Sequence, residues 1–357
     1  MEEKFSFRKF KMEDLDDYKT LFSIVYSTTI EDDFFCWKNL KNPDRDNEAL
    51  IYLVLNEKGK IVGANSFFPA KLTFQNREFL IVQSGDTMVS SEYRRRGLWK
   101  ELLKYAMKDL KEKGYGAILG IPISNSLPGL KSMGFEVLYE MNRFIKVLNF
   151  KNVLTSKLQN VPGIRLLGRA VDFFYGLLSF RKCDHLYDIQ KYDLSDTSAF
   201  YDGVTSEVEQ YIVNITPDRI RSIKDKSYLR WKYNEKPNSK YEMIIVRDGH
   251  AIIAVLVVRV EEHLGNKSCK VVEYFVDKSD DLDVAMKYVL NDYKKSKFSY
   301  LSIWDFGDEI VKRAYRRNLF FKQDLDLYFT VKLLDDDLRF LYDLGLWHIV
   351  EGDADTA

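Results

Sequence analysis

Three consecutive arginines stand beside a glycine and a lysine in residues 94–100. They follow an apolar, β-rich run that ends at Val89, and a helical repeat of apolar residues begins at Leu98. Backbone N–H groups at a helix start have no intrahelical partner, so they can hold an anion such as a phosphate. Gly97 allows close approach of a ligand because it has no Cβ. A solvated charge run before a helix is the alternative interpretation.

The elements that would position this junction recur in the second half of the chain. Residues 35–43 share their tryptophan, lysine and proline positions with residues 229–237. A predicted hairpin, a β-rich run, a helix and a further strand follow each segment. The shared order indicates an internal duplication, and two unrelated α/β domains are the alternative. The equivalence of Trp37 and Trp231 favours a packing role for both over stacking on a substrate.

The two copies differ where the predicted strand meets the predicted helix. The first junction is basic, whereas the second is shorter and carries Asp277, Asp280, Asp281 and Asp283. Carboxylates repel a polyphosphate because the charges are alike. We therefore expect a phosphate site in the first copy and none in the second.

Length and composition indicate a folded chain of more than one domain. The 357 residues exceed the roughly 100–200 residues of an ordinary domain. Lysine plus arginine equals aspartate plus glutamate at 54 each, so any basic site must be local and no nucleic-acid partner is expected. Hydrophobic residues reach 46%, which excludes a disordered chain. We predict a first domain over residues 1–150, a helical connector over 151–192, a second domain over 193–345 and an acidic tail over 346–357.

The cysteines and histidines indicate where in the cell the protein is located and whether it binds a metal. Cys36, Cys183 and Cys269 are odd in number and far apart, so we expect neither a disulfide framework nor a zinc knuckle. A reducing, cytoplasmic location is predicted, since the N-terminus also lacks the apolar run of a secretory signal. The four histidines show no metal-ligand spacing, and we expect no metal.

The most apolar run of the chain covers residues 164–180. Arg165, Arg169 and Asp172 interrupt it, so we expect no transmembrane segment. Its amphipathic pattern fits either a helix on a membrane surface or a connecting helix packed between the domains, and we predict the second.

Two motifs in register carry a resemblance to a known family. Arg94-x-x-Gly97 between a strand and a helix resembles the signature of the GCN5-related N-acetyltransferases (GNAT), and residues 125–135, from Asn125 to a Gly-Phe pair, resemble that family's second segment. Both strings are similar to the branch with tandem domains that contains the enhanced-intracellular-survival acetyltransferases. The resemblance implies an α+β fold of two tandem GNAT-like domains, each a mixed, mainly antiparallel sheet flanked by helices, with a degenerate second copy and a helical connector.

The resemblance also implies acetyl-CoA as the co-substrate. It assigns backbone groups at the end of the first-copy strand to the pantetheine arm, the basic loop to the pyrophosphate and an asparagine to the coenzyme near the second segment. The residues at these positions are Met88, Val89, Arg94, Arg95, Arg96, Gly97, Leu98, Trp99 and Asn125. A helix cap before Pro128 is the alternative role of Asn125.

Asp86 falls where many family members carry a carboxylate near the amine, and we nominate it as the general base. A structural carboxylate is the alternative, because the repeat places Glu273 at the equivalent position of the second copy. Two departures from the family pattern stand out. Trp99 replaces a glycine or alanine, and Leu130 occupies the place of the tyrosine that often protonates the thiolate, so the general acid is unassigned.

The resulting prediction is an acetyl-CoA-dependent N-acetyltransferase acting on a small primary amine by direct attack. An amino sugar or sugar nucleotide is the preferred acceptor class, and an aminoglycoside-like polyamine is second. The alternatives are a noncatalytic acyl-CoA-binding protein and a related acyl or aminoacyl transferase. Oligomeric state stays open.

Trp347 and Ile349 offer the acidic tail an apolar anchor, and we hypothesise that the tail reaches the first domain and binds a cationic amine.

Overall fold

One sheet runs through both halves of the chain. A computed structural model describes residues 3–45, 48–157, 163–179, 187–216, 218–263 and 266–354. The strands of the first half are β1 (Ser6–Lys9), β2 (Leu50–Leu55), β3 (Ile61–Phe74), β4 (Arg77–Val89), β5 (Ala117–Gly120) and β6 (Glu136–Val147). Its helices are α1 (Leu15–Tyr26), α2 (Asp32–Leu40), α3 (Leu98–Glu112) and α4 (Leu127–Ser132).

Two helices, α5 (Phe150–Lys157) and α6 (Ile164–Ser179), lead to the second half. Its strands are β7 (Asp188–Asp193), β8 (Arg221–Ser222), β9 (Lys240–Asp248), β10 (Ala251–His263), β11 (Asn266–Phe275), β12 (Tyr300–Asp305) and β13 (Phe321–Leu333). Its helices are α7 (Thr197–Gly203), α8 (Ser206–Asn214), α9 (Lys226–Leu229), α10 (Ser279–Lys295) and α11 (Glu309–Arg317).

The described strands lie in the order β1-β2-β3-β4-β5-β13-β6-β12-β11-β10-β9-β7, and β8 pairs with β3. β4 with β5 and β11 with β12 are parallel, and the other described pairs are antiparallel. This mixed, mainly antiparallel sheet with flanking helices confirms the predicted composition of the fold. The division into two tandem domains stays a prediction.

The two halves exchange their last strands. β13 of the second half lies between β5 and β6 of the first, with Val331 opposite Leu119. β6 of the first half pairs in turn with β12 of the second, where Ile303 lies opposite Phe144. Each half is therefore completed by a strand from the other, so that strands from before residue 150 pair with strands from after residue 193.

The order of elements from β2 to β6 recurs from β9 to β13. Both hairpins turn at the predicted glycines, Gly59 with φ +77° and Gly249 with φ +59°, a backbone conformation that favours glycine. Trp37 stacks on Trp231 at 5.3 Å between ring centroids, and each indole N–H donates to the other residue's backbone carbonyl. This buried, reciprocal contact confirms the packing role predicted for both tryptophans.

Helices cover the first-half sheet on both faces. α3 packs on one face through apolar residues with helical spacing, among them Leu98, Leu102 and Ala106. Tyr18 and Phe35, from α1 and α2, pack with Met88 in a second cluster. Among the residues described, none of the helices has the length and apolar character that crossing a bilayer would require.

Candidate active site

β4 and α3 meet through a tight loop, as the sequence predicts. A 3-10 turn at Ser91–Tyr93 precedes residues 94–97, and Gly97 is the N-cap of α3. Gly97 has φ +75° and Arg95 has φ +63°, so the loop passes through left-handed backbone that glycine adopts readily and arginine adopts at a cost. The partially positive N-terminus of α3 opens onto this loop.

The three arginines of the loop are exposed, and two of them bind other parts of the chain. Arg94 Nε donates to the carbonyl oxygen of Val89 at 3.1 Å. Arg96 Nη1 lies 2.7 Å from Glu3 Oε2, and its guanidinium carbon lies 5.1 Å from the ring centre of Tyr93. These contacts tie the guanidinium groups of Arg94 and Arg96 to Val89, Glu3 and Tyr93.

A cleft opens where β4 and β5 separate. The parallel register between them ends with Ser84 opposite Gly120, although β4 continues to Val89. Strand separation of this kind exposes backbone groups that a longer partner strand would cover. The cleft has a volume of about 890 Å³, and its lining includes Gly85, Asp86, Thr87, Trp99, Ile121, Pro122, Asn125, Gly129 and Leu130.

Asp86 lies in the wall of this cleft, in a bulge of β4, with φ +43°. Its two carboxylate oxygens lie 2.9 and 3.0 Å from Nζ of Lys38 on α2. The Lys38 and Asp86 side chains are only 8% and 11% exposed, and the ammonium lies 4.5 Å from the ring centre of Phe68. Sequence reasoning missed Lys38. The repeat aligns Lys38 with Lys232, and each of these lysines follows one of the two matched tryptophans. That alignment is the signal that could have indicated Lys38.

Met88 and Val89 follow the bulge on the same strand. The Met88 side chain is fully buried among residues of α1 and α2, and it therefore serves the core. The Val89 carbonyl accepts the hydrogen bond from Arg94, while Ser90 N–H donates to the carbonyl of Val62. Any contact of Met88 with a ligand would thus have to come from its backbone, whereas Val89 is partly exposed.

Trp99 lines the cleft from the first turn of α3. Its ring packs on Gly129, where an added Cβ would meet Cζ3 at 3.0 Å. Its Nε1 is buried and has no hydrogen-bond partner among the described residues. A buried donor of this kind normally has an acceptor, which is a water or a ligand where the described chain supplies none. Leu98 beside it is buried in the core under α3.

The second predicted segment forms the other side of the cleft. Asn125 is exposed and lies one residue before Ser126, which is the N-cap of α4, so Asn125 is not the helix cap. Leu130 is 8% exposed and packs under α3, and its position therefore carries no proton donor. Hydroxyl groups in the cleft lining come from Tyr26, Thr28, Ser84, Thr87 and Ser126.

The acidic tail docks along both halves of the chain. Trp347 and Ile349 are buried against Leu72, Ile81 and Leu119 of the first half. The turn Glu351–Asp353 follows, and Glu351 and Gly352 are buried. Apolar anchoring of the tail is thus as expected.

Of the tail carboxylates that the structure describes, Asp353 pairs with a lysine of the second half, and Asp355 lies outside the described residues. Asp353 lies 2.9 Å from Lys224 Nζ, which in turn lies 2.6 Å from Glu273. Gly352 fits closely here, since a Cβ would lie 2.1 Å from Glu273 Oε1. The cation bound by Asp353 is therefore a lysine of the chain itself. Glu273, the counterpart of Asp86, likewise pairs with a buried lysine.

Within the described ranges, no group of histidine, cysteine, aspartate or glutamate side chains could hold a metal ion. Cys36 and Cys269 are free thiols, and Cys183 lies outside the described residues.

Comparisons with known proteins agree with this geometry. The family model of the acetyltransferase (GNAT) domain matches residues 6–138. Among solved structures, the chain is similar to a GCN5-related N-acetyltransferase from Anabaena variabilis ATCC 29413, at TM-score 0.62 and 7% identity over 93% of this chain and 73% of the other. No curated protein matches the chain in sequence.

Two further structures share the architecture. A conserved protein of unknown function from Enterococcus faecalis V583, a probable N-acyltransferase, has TM-score 0.66 and 11% identity over 94% of this chain and 73% of its own. Saccharomyces cerevisiae N-myristoyltransferase with bound myristoyl-CoA has TM-score 0.57 and 13% identity over 92% and 78%. At these identities the likeness concerns the fold alone. The family match over residues 6–138 identifies a GNAT acetyltransferase domain, and the protein is an acyltransferase.

Proposed function

We propose that residues 6–138 bind acetyl-CoA and transfer its acetyl group directly to a small primary amine. The observation that carries the proposal is the cleft between β4 and β5, whose lining brings together Trp99 at the start of α3, Asp86 of β4 and Asn125 of the second segment. An amino sugar or a sugar nucleotide is the acceptor class we favour, and this preference rests on the family resemblance.

The residues around the loop suit the coenzyme, which supplies the acetyl thioester when bound. Arg94, Arg95 and Arg96 would neutralise the pyrophosphate, and the N–H groups of residues 97–99 would donate to it. The backbone at Met88 and Val89 would border the pantetheine arm. Asn125 stands at the opposite wall of the cleft, where it would contact the same ligand.

Asp86 is our candidate for the general base. It would accept the proton of the substrate ammonium directly or through one water, and the freed amine would attack the thioester carbonyl. Lys38 would fix the orientation of the carboxylate through its two short contacts. Because Leu130 offers no proton, water or one of the hydroxyl groups in the cleft lining would protonate the leaving thiolate. No covalent bond to the protein is needed.

We further propose that the second half is a degenerate copy of the first, with the predicted domain boundaries except that β7, from Asp188, belongs to the second domain. The recurring element order and the reciprocal tryptophan contact support this proposal. At the equivalent junction, β11 passes to α10 through only residues 276–278, and the first turn of α10 contains Asp280 and Asp281. Such a junction disfavours a phosphate.

Isothermal titration calorimetry tests the coenzyme site. We expect one acetyl-CoA site with a Kd in the micromolar range and at least a tenfold weaker Kd for Gly97→Asp, which adds a carboxylate and a side chain at positive φ. Gly59→Asp is the matched control, because Gly59 has nearly the same φ, has open space around it and lies outside the cleft. Equal losses in both variants, or no binding by the wild type, would refute the assignment.

Release of free thiol from acetyl-CoA, measured over a panel of amines, tests the reaction. Thiol release with an amino sugar or sugar nucleotide supports the proposal. Tight coenzyme binding without release by any amine would instead favour the noncatalytic acyl-CoA-binding alternative. Release from longer acyl-CoA but not from acetyl-CoA would favour a related acyl transferase.

A further inference from the structure

Helix α6 presents apolar side chains to the outside of the molecule. Leu166 is 70% exposed, Leu167 is 56% exposed and Phe173 is 64% exposed. Ala170 lies between them and is also exposed. These residues fall at positions i, i+1, i+4 and i+7 of one helix, so they share a face.

The other face of α6 holds the helix to the protein. Ile164 is buried, and Gly168 packs so closely on α5 that an added Cβ would lie 2.6 Å from Cα of Lys151. The Asp172 carboxylate accepts hydrogen bonds from the backbone N–H groups of Phe150 and Lys151 at 2.5 and 3.1 Å. The exposed apolar face is therefore fixed in its outward orientation, and the predicted packing of this helix between the domains does not extend to it.

The charge of this part of the chain is strongly one-sided. Residues 151–182 contain six basic residues, Lys151, Lys157, Arg165, Arg169, Arg181 and Lys182, and a single acidic residue, Asp172. Asp172 is engaged by the backbone of α5, whereas Arg169 on α6 is exposed. The whole chain, by contrast, has no net charge. The exposed apolar residues beside the exposed Arg169 complement an anionic lipid surface, and the excess of basic residues along this stretch of the sequence adds to the attraction.

We propose that α6 lies on an anionic membrane surface, with Leu166, Leu167 and Phe173 in the boundary between headgroups and acyl chains and Arg169 at the lipid phosphates. The helix has 16 residues and is about 24 Å long, too short to cross the bilayer core. A second copy of the chain is disfavoured as the occupant of this face because it would bring two basic segments together.

Co-sedimentation of the full chain with phosphatidylcholine vesicles, with and without phosphatidylglycerol, tests the proposal. We expect binding to the anionic vesicles only, a loss of binding at high salt and at least a tenfold weaker partition for Leu166→Glu combined with Leu167→Glu. Arg169→Gln should weaken the partition about fivefold. Leu319→Glu is the control, because Leu319 is also an exposed apolar residue, 51% exposed, but lies in the second half. We expect this substitution to leave vesicle binding unchanged.

Three outcomes would overturn the proposal. The first is no sedimentation of the wild type with anionic vesicles. The second is equal sedimentation of the α6 double variant and the Leu319→Glu control. The third is a dimer in sedimentation velocity that the α6 double variant dissociates, because a second copy would then occupy this face. Circular dichroism of each variant checks that the fold is retained. Acetyl-CoA binding is measured separately by calorimetry, so none of these three outcomes bears on the proposed coenzyme site.

Discussion

Lys38 and Asp86 form a buried ion pair in the wall of the cleft between β4 and β5, and the proposed function would give Asp86 two separable roles. As a partner of Lys38 it stabilises the fold, since removal of one member of a buried pair leaves the other charge uncompensated. As the proposed base it takes a proton from the substrate. Stability and turnover can therefore be measured apart in the same variants.

We predict that Asp86→Asn lowers the free energy of unfolding by about 3 kcal/mol and lowers turnover by roughly 10²–10⁴-fold. Adding Lys38→Met should restore most of the stability, because the buried ammonium is then gone, but none of the turnover. Urea denaturation and thiol release measure the two effects. A double variant that regains turnover would show that Asp86 serves the fold alone.

Only half of this pair could be predicted from the sequence. Asp86 is identified by its distance from the loop motif, which is a local pattern. Lys38 lies 48 residues earlier on a helix, and nothing in its own neighbourhood shows which strand that helix covers. Leu130 could also be predicted as a departure from the family pattern, because its place is set by the Gly-Phe pair that follows it.

At the scale of elements, the turn Glu351–Asp353 carries a carboxyl group into the interior. Glu351 is only 4% exposed, and its Oε2 has no hydrogen-bond partner among the described residues. Burial raises its pKa to about 7, from an ordinary value of 4.5. The folded state thus holds this proton more tightly than the unfolded state does.

This difference makes the stability of the protein depend on pH in a defined direction. The contribution of Glu351 is fully present below about pH 4.5 and is lost as the pH rises through about 7, by at most about 3 kcal/mol. The Glu351→Gln side chain does not ionise, so the variant lacks this pH-dependent loss of stability. The free energy of unfolding of the variant minus that of the wild type should therefore increase from pH 5 to pH 8. Urea denaturation across that range measures it, and a constant difference would contradict the prediction.

The elements were predictable to different degrees. The hairpins at Gly59 and Gly249 follow from turn chemistry, and the docking of the tail follows from Trp347 and Ile349. Burial of the acidic turn does not follow from the sequence, because acidic chain ends are usually solvated. Here Lys224 supplies a buried counter-charge for Asp353 from another part of the chain.

At the scale of the whole molecule, the exchanged strands tie the two halves together. Residues 1–157 alone would lack β13, and residues 163–357 alone would lack β6. We predict that each fragment is insoluble when expressed alone and that the two form a soluble complex when co-expressed. Size-exclusion chromatography of the co-expressed fragments measures this, and two fragments that fold separately would contradict it.

The repeat was readable from the sequence, whereas the exchange was not. Matched segments in the same order reveal two copies of one set of elements, including the Trp37 and Trp231 positions. A strand that returns to its own half and one that crosses to the other have the same alternation of apolar and polar residues. Which of the two arrangements forms depends on how the halves pack together. The contact between Trp37 and Trp231 is part of that packing.

The position of β13 also imposes an order on the synthesis of the protein. Gly120 on β5 and its partner Thr330 on β13 are 210 residues apart. A ribosome that adds about 5–20 residues per second needs roughly 10–40 s to supply the second strand after the first. Throughout that interval the nascent chain carries an open strand edge, which is a site for pairing with other chains. We therefore expect the yield of soluble protein to rise when chaperones are co-expressed or when translation proceeds at low temperature.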